Sequence, residues 1–327
     1  MIRSFDWRDL SLLHRLREEA LCLDAQQSFS RGHRPLQTAL FGAFSPTTTQ
    51  TLVARPSAPD EPPAIAQFLH RNGEALARLT YFSPTEALTH PSGQALLEAL
   101  CSTAGQKGAL NLIAEVDEDS PAFVGIRQAG FAIYARQSVW RWAGSRKDAD
   151  ALRPDEATPP QWRAEVPADS AAIHFLYASL VPALVQQIEV PPQMGARGLV
   201  HRQQGELLGY LEIARGPLGA WVQPYFHPAT EQAQALIAEF LARGPLAAGR
   251  PVYICVRSYQ GWLNGLLARL DFELCTSQAV MVKRLAAAVR RPALAPLPAL
   301  EGKQPKATTP FSRARRETTT HKSGWTP

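Results

Sequence analysis

The pattern of hydrophobic positions in residues 109–142 predicts a strand, a short helix and a second strand. Residues 110–116 form an apolar run with the length of a buried strand. Ser120 and Pro121 suit the start of a helix, because a serine hydroxyl can cap the first turn and proline fits the first helical position. Gly130 is typical of the residue that ends a helix, and the positions after it alternate as in a half-buried strand.

The same order of elements is predicted again in residues 251–283. A shift of 141 positions, which places Gln137 on Gln278, aligns the two stretches. Identities in this shift are few, so the repeated order of elements carries the inference of an internal duplication. The length of 327 residues also suits two domains. The predicted parts are domains at 1–143 and 161–287, a charged, proline-bearing linker at 144–160 and a tail at 288–327.

Periodicity and turn signals predict the remaining elements of each half. The Asn-Gly pair at 72–73 is a strong signal for a hairpin. In the first half we expect a strand at 2–5, an amphipathic helix whose apolar face extends to Cys22, a helix at 35–44, strands at 51–54, 64–70 and 74–82, and a helix at 92–104. In the second half we expect a strand at 162–166, a helix at 168–188, strands at 198–202, 207–214 and 220–223, and a helix at 230–243.

Composition restricts the class of protein. An apolar content of 45% is ordinary for globular domains, so each half can bury a core. The four cysteines are far apart, which predicts neither a disulfide framework nor a metal site. Neither a secretory signal nor an apolar run of transmembrane length is present in the sequence. We therefore expect a reduced, cytoplasmic protein without a membrane partner.

The net charge of +5 comes entirely from residues 291–327. This tail is rich in proline, alanine and threonine and has little to bury, which predicts disorder. Its basic cluster at 313–316 could contact nucleic acid or an acidic surface, or could simply be solvated. The rest of the chain is formally neutral, which argues against a dedicated nucleic-acid-binding domain.

The order of predicted elements resembles the GNAT family, the Gcn5-related N-acetyltransferases, over nearly all of residues 1–143 and 161–284. Two local matches support the resemblance: the helix that enters Gly130-Phe131, and Val222-Gln-Pro224, which is similar to the family's Val-x-Pro. The resemblance implies a mixed α+β (α/β) fold with two tandem copies. Each copy would have a mostly antiparallel central sheet flanked by helices, with a parallel splayed pair of strands at a cofactor slot.

The resemblance also implies acetyl-CoA, or another acyl-CoA, as cosubstrate. In the family the fourth and fifth strands splay apart and leave backbone amides for the pantetheine arm, and the pyrophosphate rests on the N-terminus of the next helix. The family's loop there reads Arg/Gln-x-x-Gly-x-Gly/Ala. In the first copy Gly93 and Ala95 fit, although His90 replaces Arg or Gln. The predicted cofactor-binding residues are Tyr81, Phe82, His90, Gly93, Gln94, Ala95 and Asp119.

The second copy matches the cofactor pattern less well. Ala233 and Ala235 stand at the small positions, and Glu231 would place a negative charge beside a phosphate. The first copy is therefore favoured as the acyl-CoA site. An ordinary helix N-terminus remains the alternative interpretation in both copies.

Transfer to an amine needs a base to deprotonate the ammonium and can use an acid for the departing thiolate. The position of the family's tyrosine acid is Ile126 in the first copy and Leu267 in the second, and neither can donate a proton. The candidates that remain are Glu74 and Glu212 as bases and Tyr259 as a group that could reach a cleft.

Two hypotheses about function stay open at this point. The first is an acyl-CoA-dependent N-acyltransferase acting on a small-molecule or peptide amine of unknown identity. The second is a GNAT-like protein without catalysis, in which the fold serves binding or regulation. A monomer is compatible with both, because the two copies lie in one chain.

Overall fold

The first copy contains the strands and helices expected of the predicted fold, with three consecutive antiparallel strands between its helices. In this computed structural model the described residues are 1–32, 47–55, 61–144, 159–193, 198–244, 246–247 and 249–285. The strands of the first copy are β1 (Ile2–Ser4), β2 (Leu21–Cys22), β3 (Thr47–Ala54), β4 (Ala64–Arg71), β5 (Leu76–Ser83), β6 (Asn111–Asp117) and β7 (Ala132–Trp142). Its helices are α1 (Leu10–Leu16), α2 (Ala25–Arg31), α3 (Pro91–Gln106) and α4 (Pro121–Gln128).

The second copy repeats this order, except that its described residues contain no counterpart of β2. Its strands are β8 (Arg163–Ala164), β9 (Leu199–Gln203), β10 (Glu206–Arg215), β11 (Ala220–Phe226), β12 (Val252–Arg257) and β13 (Glu273–Arg284). Its helices are α5 (Ser170–Leu180), α6 (Ala183–Gln186), α7 (Ala233–Arg243) and α8 (Leu263–Arg269). The strand, helix and strand predicted at the end of each copy are confirmed.

Several predicted elements are wrong in their extent. The first helix ends at Leu16, and Cys22 lies in the short strand β2 instead of on the helix. Helix α2 was not predicted, although Asp24 caps it by accepting a hydrogen bond from the Gln27 amide at 2.9 Å. The long helix expected at 168–188 is interrupted before α6, the strand expected at 162–166 has only two residues, and α7 starts later than predicted. The helix predicted at 35–44, most of the linker and the tail lie outside the described residues.

One mixed sheet runs through both copies, because their last strands are interleaved. In the described residues the order is β1-β3-β4-β5-β6-β13-β7-β12-β11-β10-β9-β8, and β2 adds to β5. Strand β13 of the second copy lies between β6 and β7 of the first copy. Strand β7 likewise lies between β13 and β12. Within the described ranges all strand pairs are antiparallel except β5 with β6 and β11 with β12, which confirms the predicted fold class.

The two copies are related about the β7–β13 seam. Gln137 and Gln278 are direct partners in the register, and the Gln137 amide donates to the Gln278 carbonyl at 2.8 Å. These are the two residues that the sequence shift superimposes. Met1–Ala288 forms one compact unit. The domain boundaries predicted at 143 and 161 stay a prediction.

A hydrogen-bonded motif at the start of each copy also supports the duplication. The Arg3 guanidinium donates two hydrogen bonds of 2.7 Å to Asp9, and Arg163 does the same to Asp169. Both residues recur 160 positions later (163 − 3 and 169 − 9). Each carboxylate is buried and also caps its own turn, with the Asp6 and Val166 amides as donors at 3.0 Å.

Apolar cores cover both faces of the sheet. On one face α3 and α4 pack on the first copy, and α7 and α8 pack on the second. On the other face a shared core joins α5 and α6 to strands of both copies, from Leu76 on β5 to Tyr210 on β10. This shared core brings polar side chains of the two copies together at the junction.

Candidate functional site

Both parallel strand pairs separate after three residues. Strand β5 pairs with β6 over residues 76–78 and 111–113, and β11 pairs with β12 over 220–222 and 252–254. Beyond these pairs each strand continues without its neighbour, which leaves a gap with backbone groups on both edges. We call the gap between β5 and β6 the first slot and the gap between β11 and β12 the second slot.

The first slot is filled by main chain of the same protein. Strand β2 pairs with the end of β5, with Cys22 opposite Tyr81. The Leu23 amide then donates to the Thr80 carbonyl at 3.2 Å, and the Leu23 carbonyl accepts from the Glu115 amide of β6 at 2.9 Å. The segment Leu21–Asp24 therefore bridges the two splayed strands with backbone hydrogen bonds.

The groove between α3 and α4, next to the first slot, is also filled. The turn Thr85–Thr89 packs against both helices, and Leu88 is fully buried. A Cβ on Gly93 would overlap the Ala87 carbonyl oxygen, and a Cβ on Gly125 would lie 2.7 Å from the Cβ of Leu88. Glycine is required at both positions because the turn approaches the helices so closely.

One side chain, that of Gln260, occupies the strand edge of the second slot. Gln260 follows β12 in the turn Ser258–Gln260 and is 2% exposed. Its carbonyl oxygen accepts a hydrogen bond from the Phe226 amide at 2.8 Å, and its amide donates to the Pro224 carbonyl at 2.8 Å. The carboxamide therefore satisfies the free edge of β11 without any backbone of its own in the gap.

A group of charged and tyrosine side chains lies at the junction of the two copies. We call it the junction cluster; its members are Arg78, Glu115, Tyr134, Glu189 and Arg257. Glu189 accepts a hydrogen bond from the Tyr134 hydroxyl at 2.6 Å and pairs with Arg257 at 2.8 Å. Arg257 is only 4% exposed, and its Nε and Nη1 have no hydrogen-bond partner among the described residues.

Glu115 and Arg78 are, with Tyr134, the first copy's members of this cluster. The Glu115 carboxylate caps α2 by accepting from the Ala25 amide at 2.6 Å, and it lies 3.9 Å from Arg78. Burial raises the pKa of Glu115, as does the charge of Asp24, while Arg257 and Arg78 oppose that rise. Carboxylates and guanidinium groups from both copies therefore interact in one place.

The fold was compared with known proteins. No family model and no curated protein matches the sequence. A tandem GNAT protein from the clavulanic acid biosynthesis pathway superimposes with a TM-score of 0.52 at 16% identity, over 87% of this chain and 98% of that one. A GCN5-related N-acetyltransferase from Sphaerobacter thermophilus gives a TM-score of 0.51 at 14% identity, over 87% and 95%.

The chain has the tandem GNAT fold. At these identities the likeness establishes fold alone. In this fold β5 and β11 are the fourth strands of the two copies, and β6 and β12 are the fifth strands. The first and second slots therefore correspond to the gaps between the fourth and fifth strands, where the resemblance implies a pantetheine arm.

The predicted cofactor-binding residues of the first copy are only partly together in the tandem GNAT fold. Gln94 lies beside Gly93 and donates to the carbonyls of Leu88 and, at 2.9 Å, of Gly125, so it locks the turn onto α4. The other predicted residues are scattered: His90 and Ala95 are exposed at the start of α3, Asp119 is exposed after β6, and Tyr81 and Phe82 are buried in different cores. Their role in cofactor binding stays a prediction.

The start of α7 is the corresponding helix N-terminus in the second copy. Glu231 and Gln232 are exposed there. Arg269 of α8 reaches the first turn, where its Nε donates to the Gln234 side chain at 3.0 Å. A cation therefore stands beside this helix N-terminus, which the loop sequence alone did not indicate.

The three candidate catalytic residues lie in different places. Glu74 is in the β4–β5 hairpin, paired with Arg71 at 3.0 Å, and takes no part in the junction cluster. Glu212 on β10 is half-buried, with Gln223 of β11 as its strand partner. Burial raises the pKa of Glu212, and the charge of Arg78 opposes the rise. Tyr259 precedes Gln260, and burial raises the pKa of its hydroxyl, opposed by Arg257.

Sequence reasoning missed the groups that occupy the slots and most of the junction cluster. Arg78 and Arg257 are single charges within apolar strands, and this pattern is a usable signal, because an isolated charge in a buried strand requires partners. Among the described residues no cluster of histidine, cysteine and acidic side chains could hold a metal ion. Within those same ranges no helix is long and apolar enough to cross a membrane.

Proposed function

We propose that the protein is an acyl-CoA-dependent N-acyltransferase in which the second copy is the transfer site. One observation carries the proposal: a single carboxamide, that of Gln260, occupies the strand edge of the second slot. A pantetheine arm contains amide groups with the same donor and acceptor. An arm could therefore replace the Gln260 hydrogen bonds one for one after a rotation of that side chain.

The first copy supports a structural role instead. Entry of a pantetheine arm there would require the segment Leu21–Asp24 to leave both β5 and β6. It would also require the turn Thr85–Thr89 to move out from between α3 and α4. Such a rearrangement breaks several backbone hydrogen bonds and exposes Leu88, whose burial alone stabilises the fold by about 2 kcal/mol.

The second copy also offers groups for the chemistry. The buried environment that raises the pKa of Glu212 suits this carboxylate to accept a proton from a substrate ammonium. The free amine would then attack the thioester carbonyl, forming the C–N bond of the amide as the C–S bond breaks. Tyr259, whose raised pKa keeps the hydroxyl protonated, would give its proton to the leaving thiolate and take in exchange the proton that the nitrogen loses as the amide forms.

The start of α7 would receive the cofactor's pyrophosphate. Backbone amides and the helix dipole favour an anion at such a terminus. Arg269 is bonded to the first turn of α7 and would offset the charge of Glu231. Arg269 would thus supply the positive charge that an arginine of the family's phosphate-binding loop usually provides.

The test is a titration of the full chain with acetyl-CoA by calorimetry. Gln260→Ala removes the group that competes for the strand edge, so we expect saturable binding that is up to about tenfold tighter than in the unchanged protein, equivalent to one or two hydrogen bonds. Gln94→Ala is the matched control in the first copy and should leave the affinity unchanged.

Two results would count against the proposal. A response to Gln94→Ala without one to Gln260→Ala would move the cofactor site to the first copy. If no variant shows saturable binding of acetyl-CoA, the enzyme hypothesis is contradicted and a GNAT-fold binding or regulatory protein is favoured. The acceptor amine, whether a small molecule or a peptide, is a separate question.

A further inference from the structure

The exposed face of α5 and α6 carries no charged residue. Residues 170–188, which include both helices, contain no aspartate, glutamate, lysine or arginine. Phe175 of α5 is 77% exposed, and Leu184 of α6 is 48% exposed. A helix at the surface of a protein normally presents charged or polar side chains to water. Large apolar side chains exposed within an uncharged face are typical of an interaction surface.

The first copy provides an internal comparison for this face. The shift of 160 positions that superimposes the two Arg–Asp motifs also places α1 on α5, and each residue of α1 is as buried or as exposed as its counterpart in α5. Arg15 stands at the position of Phe175. Glu18 likewise stands at the position of Ala178. The two copies therefore share the geometry of this surface and differ in its chemistry, because only the first copy has charges there.

Phe175 stands between small side chains on the surface of α5. Residues three or four apart on a helix are neighbours, so Ala171 and Ala178 flank Phe175. All three residues are exposed, and the neighbouring Ser179 is also small and exposed. One helix therefore offers both a large ring and the small positions against which such a ring packs when two helices interdigitate.

Helix α6 extends this face. The Gln186 side-chain amide donates to the Ala178 carbonyl at 3.1 Å and also to the Val181 carbonyl, which holds α6 beside the end of α5. Residues 171–187 include ten exposed side chains. At the usual contribution per interface residue, these side chains could bury about 300–400 Å² of each molecule, which suits a weak, reversible pair.

We propose that this face binds the same face of a second copy of the chain, in a weak two-fold dimer in which α5 packs against α5. A two-fold axis repeats every contact in both directions, so Phe175 of each chain would pack between Ala171 and Ala178 of the other. The face thus supplies both halves of the contact. Because it carries no charge, two copies meet without electrostatic repulsion.

The same features argue against other occupants of this face. Nucleic acid and other polyanions require cations, which the face lacks. Helices that lie on a lipid surface combine several large apolar side chains with lysine or arginine on the polar side. Helix α5 instead exposes one large apolar side chain, Phe175, among small ones. The composition therefore favours close packing of two helices.

The experiment measures the mass of the full chain by analytical ultracentrifugation. We expect the mass to rise from that of one chain to that of two between about 1 µM and about 1 mM, as a weak interface of this size implies. Phe175→Arg introduces the residue that the first copy has at this position, and it should weaken the dimer by about thirtyfold or more, as the loss of a central anchor does. Arg15→Ala, at the corresponding position of α1, is the matched control and should leave the mass unchanged.

A mixture of two variants tests which residues meet. Ala178→Glu should also prevent self-association, because it places a charge against Phe175 of the other chain. Phe175→Arg mixed with Ala178→Glu should dimerise again, since the new arginine would face the new glutamate while the second contact keeps its original phenylalanine and alanine. Both changes are at exposed positions, so circular dichroism should show that each variant is folded.

The mass of one chain at every concentration would overturn the proposal. A dimer that Phe175→Arg leaves intact would also overturn it, because the interface would then lie elsewhere, as would a failure of the two variants to pair. Phosphatidylcholine vesicles that bind the unchanged, single chain but not Phe175→Arg would assign the face to a lipid surface instead. None of these measurements uses acyl-CoA, so the dimer and the proposed transfer site can fail separately.

Discussion

The duplicated Arg–Asp motif makes a strong prediction about stability, which Asp169→Asn tests. Asp169 is 3% exposed and accepts two hydrogen bonds from Arg163 and one from Arg202, all at 2.7–2.9 Å. Its Oδ2 also accepts from the Val166 amide at 3.0 Å. Asparagine keeps the shape of the side chain but removes the charge and turns one acceptor into a donor.

The expected loss in the free energy of unfolding follows from these contacts. Hydrogen bonds to a charged group contribute about 1.5–3 kcal/mol each, which sets the upper limit. The side chains of Arg163 and Arg202 are 47% and 33% exposed, so water can hydrate them when the carboxylate is lost. The loss of free energy of unfolding is therefore smaller than the sum of the hydrogen-bond contributions. We expect Asp169→Asn to lower the free energy of unfolding by about 3 kcal/mol.

The dependence on pH has a definite sign. The pKa of Asp169 is depressed, first by the Arg163 hydrogen bonds, so the carboxylate contributes stability above its unfolded pKa of about 4. That contribution is lost as the pH falls toward the folded pKa. The difference in the free energy of unfolding between Asp169→Asn and the unchanged protein should therefore become smaller as the pH is lowered from about 7 to about 3.

Urea unfolding followed by circular dichroism measures this change. Asp9→Asn removes the same motif from the first copy and should cost a similar amount, because the bonds from Arg3, Arg55 and the Asp6 amide repeat the pattern. Asp119→Asn is the exposed control and should be neutral. The reasoning is refuted if Asp169→Asn costs less than about 0.5 kcal/mol, the usual range of a surface change.

Three further predictions concern packing, assembly and thiol chemistry. Gly93→Ala should destabilise the fold by about 2 kcal/mol, because its Cβ would overlap the Ala87 carbonyl, whereas Gly265→Ala on the open face of α8 should gain up to about 1 kcal/mol; equal effects in urea would contradict the packing. The two copies expressed as separate chains should be unfolded alone and regain circular dichroism on mixing, since each lacks a strand from its sheet; a folded isolated copy would disprove this. In the native protein a thiol reagent should modify the exposed Cys275 quickly, the half-buried Cys22 more slowly, and the buried Cys101 and Cys255 only after unfolding, as counted by absorbance; fast modification of Cys101 or Cys255 would be inconsistent with their burial.

Much of the fold is predictable because local patterns encode it. The strand, helix and strand around Gly130, and their repeat, follow from periodicity and turn residues alone. The interleaving of β7 and β13 does not, because the same alternating strand suits either neighbour. The relevant clue was the match of Gln137 with Gln278, two polar residues at the centre of apolar strands that satisfy each other across the seam.

The site was less predictable, for a different reason. The resemblance identified the two slots correctly as gaps between the fourth and fifth strands, but which group occupies a gap depends on tertiary contacts. Cys22, which lies in the segment that fills the first slot, was expected on the apolar face of the first helix. Gln260 carries no local signal, since a glutamine after a strand is ordinary until its partners on β11 are known.

The interleaved strands also determine when the sheet can be completed during translation. When β7 leaves the ribosome, the place between β6 and β7 is still vacant, and it stays vacant until β13, the last strand of the described residues, has been translated. At ordinary rates of translation this delay lasts on the order of ten seconds. Throughout that time the first copy carries two unpaired strand edges, which are open to wrong partners. The nascent chain should therefore depend on chaperones until translation is nearly complete, and a stop codon before β13 should yield aggregates and not a stable first copy.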